Sequence, residues 1–391
     1  MDKPDTLPTE CFPDFGNNTL VNLMSRLGRA AGAPTPYAEL AHPALADIET
    51  GNHIVLLVID GLGVAQLEAL DSAPTLSRHL AGSIRSVFPA TTSTAITSLM
   101  TGETPAMHGL TGWHTYCADT GQIVMPLPLG VRHPHPPLET DPAVLAGALY
   151  AAPSLFSRMT RAATVHQPVF LAHSPYSLHH SGTARRVPWK TLRDLVDHLL
   201  EACRTAEPGF HYAYIPQLDT VMHEHGPASS EARDCLAAID TAFAALAAGK
   251  PAGATLIVTA DHGFVDAPPE RRIDIAAYPE LAGELRLPLS GEPRAVFCHV
   301  REGRADAFLH AARERLGHAA WCVPSGELMR AGVFGPGEPH PRLASRIGDV
   351  TLLLREEWTL GDTLPHEKPY RLRGMHGGIS DAETRIPLIV A

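Results

Sequence analysis

Short apolar segments alternate with amphipathic or alanine-rich segments along this chain, and the alternation predicts the fold. The apolar segments are HIVLLVID, SIRSVFPATT, HYAYIPQLD and ATLIVTADH. Continuous apolar runs of this length are typical of strands that are covered on both faces. The intervening segments GVAQLEAL, STAITSLMT, 190–203 and 230–248 have the pattern of helices. The sequence therefore predicts an α/β fold with a mostly parallel central sheet covered by helices on both faces.

Two regions depart from this alternation and indicate how the chain is divided. Residues 112–150 are rich in Gly, Pro and His and predict a long ordered loop or lid. Residues 267–372 contain the strand RAVFCHV, the helix ADAFLHAARERLG and the strand DVTLLL, and they predict a small α+β insertion. We expect residues 49–266 and 373–391 to form the α/β core, with residues 1–48 as an N-terminal extension packed on it.

The composition excludes several classes of protein. The 391 residues carry a net charge of -11, with 45% hydrophobic and 19% charged residues. These values argue against a disordered chain, and against a nucleic-acid polymer as partner, because such binding needs Lys and Arg. No segment has the roughly 18 apolar residues of a membrane span, and the N-terminus lacks a signal core. We therefore expect a protein without a membrane partner.

Cysteine and histidine usage add two further expectations. The six cysteines form neither a CxxC pair nor a dense framework. Reduced thiols in the cytoplasm are therefore expected. The 22 histidines are consistent with metal or acid–base chemistry, and equally with exposed side chains in a proline-rich chain.

Residues that can bind metal follow three of the predicted strands. Asp60 follows the first strand, and Asp261 and His262 follow the last one. Asp219 and His223 are separated by four positions, which places both on one face of a helix. Because ligands of α/β sheets collect beyond the carboxyl ends of the strands, we expect these side chains to lie at one end of the sheet.

Two further positions extend this set. His376 lies between glycines in GMHGG, where the backbone can approach a neighbour closely. Thr91 and Thr92 end the second predicted strand and open a helix, whose free amides and dipole favour an oxyanion such as phosphate. A threonine hydroxyl at this position could attack phosphorus, but the residues alone do not choose between the two threonines.

Each of these residues also has an ordinary structural explanation. An Asp-x-x-x-His pair is common on exposed helices, and Asp60 or the threonines could simply cap a helix. Taken together, three Asp, three His and one Thr at one end of a sheet fit two divalent cations, with positions left for substrate. Carboxylate and imidazole ligands without thiolate favour Zn²⁺, with Mn²⁺ or another divalent ion as the alternative.

The order of the segments resembles the alkaline phosphatase superfamily, and within it the type I phosphodiesterase/nucleotide pyrophosphatase family. VIDGLG, VFPATTSTAITSLMTGETPAMHGL, IPQLDTVMHEHGP, VTADHGF and GMHGG occur in the family's order over residues 53–391. The resemblance implies an alkaline-phosphatase-like fold, a two-zinc site and a threonine nucleophile. It chooses Thr92 as the nucleophile, because Thr92 precedes Gly102 by ten positions, as in the family. The implied ligands are Asp60, Thr92, Asp261 and His262 for one ion, and Asp219, His223 and His376 for the other.

The residues around the substrate depart from the family pattern. Ser-Thr-Ala follows the nucleophile where the family has Phe-Pro-Asn, and Trp113 or His114 stands where nucleotide pyrophosphatases carry an Asn. Ser93, Trp113 and His114 are therefore the predicted substrate-binding residues. The HPHPP segment of residues 133–137 is expected to line the leaving-group pocket.

The sequence thus predicts a two-metal hydrolase of phosphodiester, or pyrophosphate, bonds in a small molecule. It would act through a phospho-threonine intermediate at Thr92. The alternatives are a phosphomonoesterase or phosphonate hydrolase on the same core, and a catalytically silent relative that binds metal. The sequence predicts no oligomeric state.

Overall fold

A seven-stranded sheet lies at the centre of the structure, a computed structural model that describes residues 7–132, 141–365, 367 and 371–391. In chain order the strands are β1 (His53–Ile59), β2 (Leu80–Arg85), β3 (Ala162–Pro168), β4 (Arg185–Trp189), β5 (Gly209–Ile215), β6 (Ala254–Thr259) and β7 (Arg385–Val390). Their order across the sheet is β2-β7-β6-β1-β5-β3-β4.

The sheet is mostly parallel, which confirms the predicted fold class. Strand β1 pairs in parallel with β5 and β6, and β3 pairs in parallel with β4 and β5. Strand β7 is the exception, because it pairs antiparallel with both β2 and β6. It follows that β2 runs in the same direction as the parallel strands, so that its carboxyl end lies at the same end of the sheet as theirs.

Helices cover both faces of this sheet. On one face, Leu57 of β1 lies beside side chains of helices Leu192–Ala202 and Ser230–Gly249. On the other face, Phe210 of β5 contacts Phe156, with 6.0 Å between the ring centroids. Side chains of a strand alternate between the two faces of the sheet. Leu57 therefore marks one face of the sheet and Phe210 marks the other.

The remaining elements surround the sheet. None of the helices in the described ranges is long and apolar enough to cross a membrane. The other α-helices are Leu20–Ala30, Val64–Leu70, Pro74–Arg78, Thr92–Thr101, Pro105–His108, Pro142–Leu149, Pro175–Ser181, Gln217–His225, Pro279–Ala282, Ala305–Leu316, Ser325–Arg330, Leu343–Arg346 and Asp381–Thr384, with 3₁₀ turns at Thr9–Cys11, Pro43–Leu45, Phe156–Arg158, Pro269–Arg271 and Ile275–Ala277. Two small two-stranded pairings join Val265–Asp266 to Gly374–Met375 and Arg272–Asp274 to Thr359–Gly361.

The N-terminal segment packs on the central sheet. Helix Leu20–Ala30 begins after Thr19, which forms a capping box with Asn22. The buried Leu23 and Leu27 of this helix belong to the same hydrophobic cluster as the residues of β1. Burial of this apolar face holds the helix in place.

A second, smaller sheet lies between β6 and β7 in the chain. Helix Ala305–Leu316 packs on it, and Phe308 and Leu352 belong to a hydrophobic cluster separate from that of the central sheet. The guanidinium of Arg294 makes a two-pronged ion pair with Glu383, at 2.6 and 2.9 Å, and both side chains are fully buried. This pair ties the smaller sheet to the segment that precedes β7. The antiparallel strands, in spatial order, are Ser290–Glu292, Ala295–Cys298, Val350–Leu354 and Ala320–Pro324.

Residues 112–150 are not the single long loop that the sequence predicted. Strands Thr115–Cys117, Gln122–Met125 and Gly130–Val131 form an antiparallel sheet, and helix Pro142–Leu149 follows. Gly121, with a φ of +70°, forms the turn between the first two of these strands. The glycines therefore mark tight turns rather than an extended loop. The HPHPP segment of residues 133–137 lies outside the described residues.

Candidate active site

The carboxyl end of the central sheet presents the predicted ligands. Asp60 comes directly after β1, and Asp261 and His262 follow β6 after a single intervening residue. All three side chains are at least 98% buried. A buried carboxylate is unfavourable unless it is paired or bound to a cation, so this placement already requires a partner.

The other acid–histidine pair lies on a helix and not at a strand end. The sequence predicted that the strand of HYAYIPQLD extends to Asp219, but β5 ends at Ile215. Pro216 follows it and has no N–H for the ladder, and helix Gln217–His225 then begins. Asp219 lies in the first turn of that helix, one turn before His223, with 3.3 Å between Oδ1 and Nε2. The four-residue spacing therefore gives the predicted common face.

The strand predicted to end at the two threonines also ends earlier. Strand β2 stops at Arg85, opposite Arg385, where its partner β7 begins. The chain then reaches Thr91 in an extended conformation, and helix Thr92–Thr101 begins at the next residue. Both threonines therefore stand at the start of this helix, as predicted, but after a loop.

The structure brings three predicted ligands together around His262. Its Nε2 atom lies 3.4 Å from Oδ1 of Asp60 and 3.4 Å from Oδ2 of Asp261. The hydroxyl of Thr92 lies 3.2 Å from the same nitrogen. We call Asp60, Asp261 and His262 the first cluster; one ligand atom from each lies within 4.8 Å of those of the other two.

The remaining three predicted ligands form a second cluster of Asp219, His223 and His376. Nε2 of His376 lies 3.2 Å from Nε2 of His223 and 3.8 Å from Oδ1 of Asp219. The two clusters are neighbours, because the rings of His262 and His376 stack with their centroids 3.6 Å apart. The seven predicted side chains, Thr92 included, therefore lie around one pocket.

The backbone fixes the orientation of all three imidazoles. Nδ1 of His262 lies 3.1 Å from the carbonyl oxygen of Gly263. Nδ1 of His223 lies 2.9 Å from that of Gly374, and Nδ1 of His376 lies 3.3 Å from that of Ala90. A carbonyl only accepts hydrogen bonds, so each neutral ring carries its proton on Nδ1. Each Nε2 atom then carries a lone pair on the side of the carboxylates, which is the usual arrangement of a metal-binding histidine.

The carboxylates show the complementary feature. Oδ1 of Asp60, Oδ1 of Asp219 and Oδ2 of Asp261 are buried without a hydrogen-bond partner. The other oxygens of Asp60 and Asp261 are satisfied: Tyr214 donates its hydroxyl to Oδ2 of Asp60, and the amides of Gly61 and His262 donate to Oδ1 of Asp261. The unpaired oxygens are the ones that face the free imidazole nitrogens. Unpaired anions opposite unpaired lone pairs fit divalent cations between them.

The electrostatics of the pocket agree with this assignment. Burial, together with the charges of Asp261 and Asp219, raises the pKa of Asp60 well above its usual range. Burial also raises the pKa of Asp261. Burial and the neighbouring imidazoles of His262 and His223 lower the pKa of His376 well below its usual range. Without a cation, the pocket therefore destabilises the ionised forms of Asp60 and Asp261, and a bound cation would reverse this, whereas the neutral form favoured for His376 is the one that binds metal.

The two candidate nucleophiles have different surroundings. Thr91 is buried and donates its hydroxyl to Oε1 of Glu292, at 2.6 Å, so it does not cap the helix that follows. Thr92 is partly exposed and lies beside His262. The first amides of helix Thr92–Thr101 have no partner within the helix, and they remain available to an oxyanion at the same place.

Glu292 is the residue that the sequence reasoning missed. It lies on the smaller sheet, 5% exposed, and Oε1 accepts from Thr91 and from the amide of Trp113, both at 2.6 Å. Burial raises the pKa of Glu292 to about 7, although these two hydrogen bonds act in the opposite direction. The only sequence signal is an acid beside the apolar strand RAVFCHV, which is too common to indicate a site.

The three predicted substrate-binding residues have different positions. Ser93 is fully buried in the first turn of the helix, and its hydroxyl has no hydrogen-bond partner. Trp113 is held near the site by its amide and has a ring that is 40% exposed. His114 pairs through its backbone with Gly291, at 3.2 and 2.6 Å. Burial and Arg132 lower the pKa of His114 to about 3. Their role in binding substrate stays a prediction.

Comparison with known proteins identifies the fold. No curated protein sequence matches the chain. The structure is similar to murine ectonucleotide pyrophosphatase/phosphodiesterase 5, with a TM-score of 0.64 and 17% identity over 86% of this chain and 87% of that one. Human ectonucleotide pyrophosphatase/phosphodiesterase 5 gives the same values. Phosphonoacetate hydrolase from Sinorhizobium meliloti 1021 gives a TM-score of 0.58 and 21% identity, over 86% and 89%.

The amino-acid sequence identifies the family directly. Residues 54–379 match the family described as type I phosphodiesterase / nucleotide pyrophosphatase, and this range is most of the chain. The family and the similar structures indicate a hydrolase that acts on phosphoesters. The chain therefore belongs to the type I phosphodiesterase/nucleotide pyrophosphatase family of the alkaline phosphatase superfamily.

Proposed function

We propose that this protein hydrolyses phosphodiesters of small molecules through a phospho-threonine formed on Thr92. The reaction uses two divalent cations, for which Zn²⁺ is the first candidate. The observation that carries the proposal is the convergence, beside the Thr92 hydroxyl, of three free imidazole nitrogens and three unpaired carboxylate oxygens. The first cluster and Thr92 would hold one cation, and the second cluster would hold the other.

The residues of the chain have defined tasks in this reaction. Bound cations would supply Lewis-acid stabilisation of the attacking and leaving oxygens. Oγ1 of Thr92 attacks phosphorus and its proton passes to water. The bond from phosphorus to the leaving oxygen breaks, and the alkoxide takes a proton from water to leave as an alcohol. The amides at the start of helix Thr92–Thr101 donate to a phosphoryl oxygen as negative charge develops there. Water then cleaves the phospho-threonine, which releases a phosphomonoester and restores the threonine.

The charge around the nucleophile favours a diester over a monoester. A diester brings one negative charge to the pocket, whereas a monoester brings close to two at neutral pH. Glu292, through Thr91, stands next to the nucleophile with a carboxyl group instead of a cationic side chain. A third charged phosphoryl oxygen would meet this acid, which no cation of the two clusters neutralises, and like charges at short range repel.

The ligands of similar proteins define the substrates to compare. An inactive variant of the murine ectonucleotide pyrophosphatase/phosphodiesterase 5 was solved with AMP, and the Sinorhizobium meliloti enzyme with phosphonoacetate and phosphonoformate. A panel of bis-p-nitrophenyl phosphate, p-nitrophenyl phosphate and phosphonoacetate therefore separates the proposed activity from its two enzymatic alternatives. We expect the highest kcat/KM with the diester.

The decisive variant is Thr92→Ala. It removes the attacking oxygen, and we expect kcat/KM for the diester to fall by about 10⁴-fold or more. Both metals should stay bound, as measured by elemental analysis of the purified protein, because each cluster keeps three side-chain ligands. A phosphorylated threonine should be trapped by acid quench in the wild type and not in the variant.

Two further variants make this result interpretable. Thr91→Ala removes the neighbouring hydroxyl, and it should retain turnover far above that of Thr92→Ala. Thr241→Ala changes an exposed threonine of helix Ser230–Gly249, outside the site, and should behave like the wild type. Turnover in Thr92→Ala comparable to that of the wild type would contradict the assignment of the nucleophile.

A further inference from the structure

A third cluster of metal-binding side chains lies at the amino end of the same sheet, and the proposed reaction does not use it. His53, Cys203 and His211 are 1%, 2% and 3% exposed. One ligand atom from each lies within 4.8 Å of those of the other two. Two imidazoles and a thiol buried at one point form a donor set that one transition-metal ion can share.

Three different elements bring these side chains together. His53 is the first residue of β1, and His211 is the third residue of β5. In the register of the two strands, His53 pairs with Gly209, so His53 and His211 lie diagonally on the same face of the sheet. Helix Leu192–Ala202 covers that face, and Cys203 follows it directly.

The spacing of the donor atoms fits a single ion. Nδ1 of His53 and Nε2 of His211 are 3.2 Å apart. Two nitrogens bound tetrahedrally at about 2.0–2.1 Å from one ion would be about 3.3 Å apart. A Cβ atom on Gly209 would lie 2.8 Å from the His211 nitrogen and 3.0 Å from the His53 nitrogen. The glycine therefore leaves open the space beside the two donor atoms.

The other nitrogen of each ring is already held. Nε2 of His53 lies 3.1 Å from the carbonyl of Thr205, and Nδ1 of His211 lies 2.7 Å from the hydroxyl of Thr164. Hydrogen bonds of this kind orient metal-binding histidines. Residues 204–208, which include Thr205, are exposed, so the cluster lies close to the surface on this side.

We infer that His53, Cys203 and His211 form a third metal site, for a thiophilic transition-metal ion such as Zn²⁺, distinct from the two clusters at the carboxyl end. Thiolate and imidazole ligands select such an ion over Mg²⁺ or Ca²⁺. The Cys203 thiol would release its proton to solvent on binding. The carbonyl end of helix Leu192–Ala202 favours positive charge at this place. The ion would tie the helix to strands β1 and β5.

The competing arrangement is a closed chain of hydrogen bonds without an ion. The hydroxyl of Thr164 would donate to Nδ1 of His211, whose Nε2 proton would then be donated to Nδ1 of His53. This chain satisfies the same nitrogens but gives Cys203 no part. The thiol therefore distinguishes the two arrangements.

Titration of the metal-free, full-length protein with Co²⁺ tests the inference. Cobalt bound by a thiolate has a charge-transfer absorption in the near ultraviolet, and neither cluster at the carboxyl end contains a cysteine. We expect three equivalents of cobalt and a thiolate band from one of them. Cys203→Ser should lose the band and one equivalent, whereas Cys235→Ser, a half-buried cysteine of helix Ser230–Gly249, should keep both.

Two more variants distinguish metal binding at this site from effects on turnover and from misfolding. Asp261→Asn is expected to lose turnover but to keep the thiolate band. The band therefore tests the third site even if the proposed function is wrong. His211→Asn should lower the affinity for the cobalt ion that gives the band by about 100-fold or more, and it should leave the circular dichroism spectrum unchanged. Absence of the band in the wild type, or its persistence in Cys203→Ser, would overturn the inference.

Discussion

The two ends of strand β1 carry buried metal-binding residues of opposite character. Asp60 follows the strand at its carboxyl end, and its Oδ1 atom is buried without a partner. His53 begins the strand at its amino end, and both of its nitrogens have partners. Seven residues of strand separate the two positions by roughly 23 Å. One end is therefore anionic and incomplete without a cation, and the other is neutral and already hydrogen-bonded.

This difference shows that a buried ligand set can be built in two ways. At the carboxyl end, three carboxylates are held apart from solvent, and only a cation satisfies them. Such a site binds metal strongly but destabilises the metal-free protein. At the amino end, neutral imidazoles satisfy one another, so a metal adds stability without being required for folding. The two ends should therefore respond differently to the same kind of substitution.

The largest expected difference is in activity. Asp261→Asn removes a charge from the first cluster, and we expect kcat/KM for the diester to fall by about 10³-fold or more with loss of one cation. Cys203→Ser at the amino end should change kcat/KM by less than about tenfold. Steady-state kinetics and elemental analysis on the same preparations measure both effects. A similar loss of activity in the two variants would remove the distinction between the ends.

Much of the fold and of the site could be predicted, because the signals were local. The strands before Asp60 and Asp261 are uninterrupted apolar runs, and the side chains that follow such strands in a parallel sheet meet at one end. Helices Thr92–Thr101 and Ser230–Gly249 begin and end within about one residue of their predicted bounds. The grouping of ligands came from the family resemblance, and the structure places the same residues together.

The remaining features depend on contacts that are distant in the sequence. Strand β2 ends at Arg85, and its partner at that point is Arg385 at the start of β7, 300 positions later in the chain. Glu292 reaches Thr91, the neighbour of the proposed nucleophile, only because the smaller sheet packs beside it. His53 and His211 each stand near the start of a predicted strand, so a signal was present. The general rule that ligands collect beyond the carboxyl ends of strands predicts no site at their amino ends.

The next expected effect is on the stability of the metal-free protein. Asp60→Asn removes one of the three buried charges, and its amide can donate to Nε2 of His262, which lies 3.4 Å from Oδ1 of Asp60. With chelator present, we expect the variant to be more stable than the wild type by about 1 kcal/mol. With excess Zn²⁺ the order should reverse. Urea unfolding in both conditions measures the difference.

A buried acid elsewhere provides the control for this experiment. Asp240, 5% exposed, accepts from the amides of Thr75 and Leu76 at 3.1 and 2.7 Å, so both of its oxygens are satisfied. Asp240→Asn should destabilise the protein by about 1 kcal/mol with and without metal. Destabilisation of the chelated protein by Asp60→Asn would show that the carboxyl end does not depend on a cation.

The smallest expected effect concerns the acid of the carboxyl end that is not a ligand. Glu292→Gln keeps a carbonyl oxygen to accept from Thr91 and Trp113, but it removes the negative charge that we expect to repel a monoester. At pH 8, above the pKa of about 7 of Glu292, the ratio of kcat/KM for p-nitrophenyl phosphate to that for bis-p-nitrophenyl phosphate should rise about threefold, which corresponds to about 0.7 kcal/mol. Glu302→Gln, an exposed acid of the same region, should leave the ratio unchanged.

The direction of the change in Glu292→Gln separates two roles of this residue. If Glu292 acts by charge, turnover of the monoester rises while that of the diester changes little, because the diester has no third charged oxygen to repel. If Glu292 only holds Thr91 and Trp113 in place, glutamine preserves both contacts and neither substrate is affected. If it supports the nucleophile directly, both substrates lose turnover equally and the ratio stays constant. Only the first outcome makes the anionic character of the carboxyl end a determinant of substrate choice.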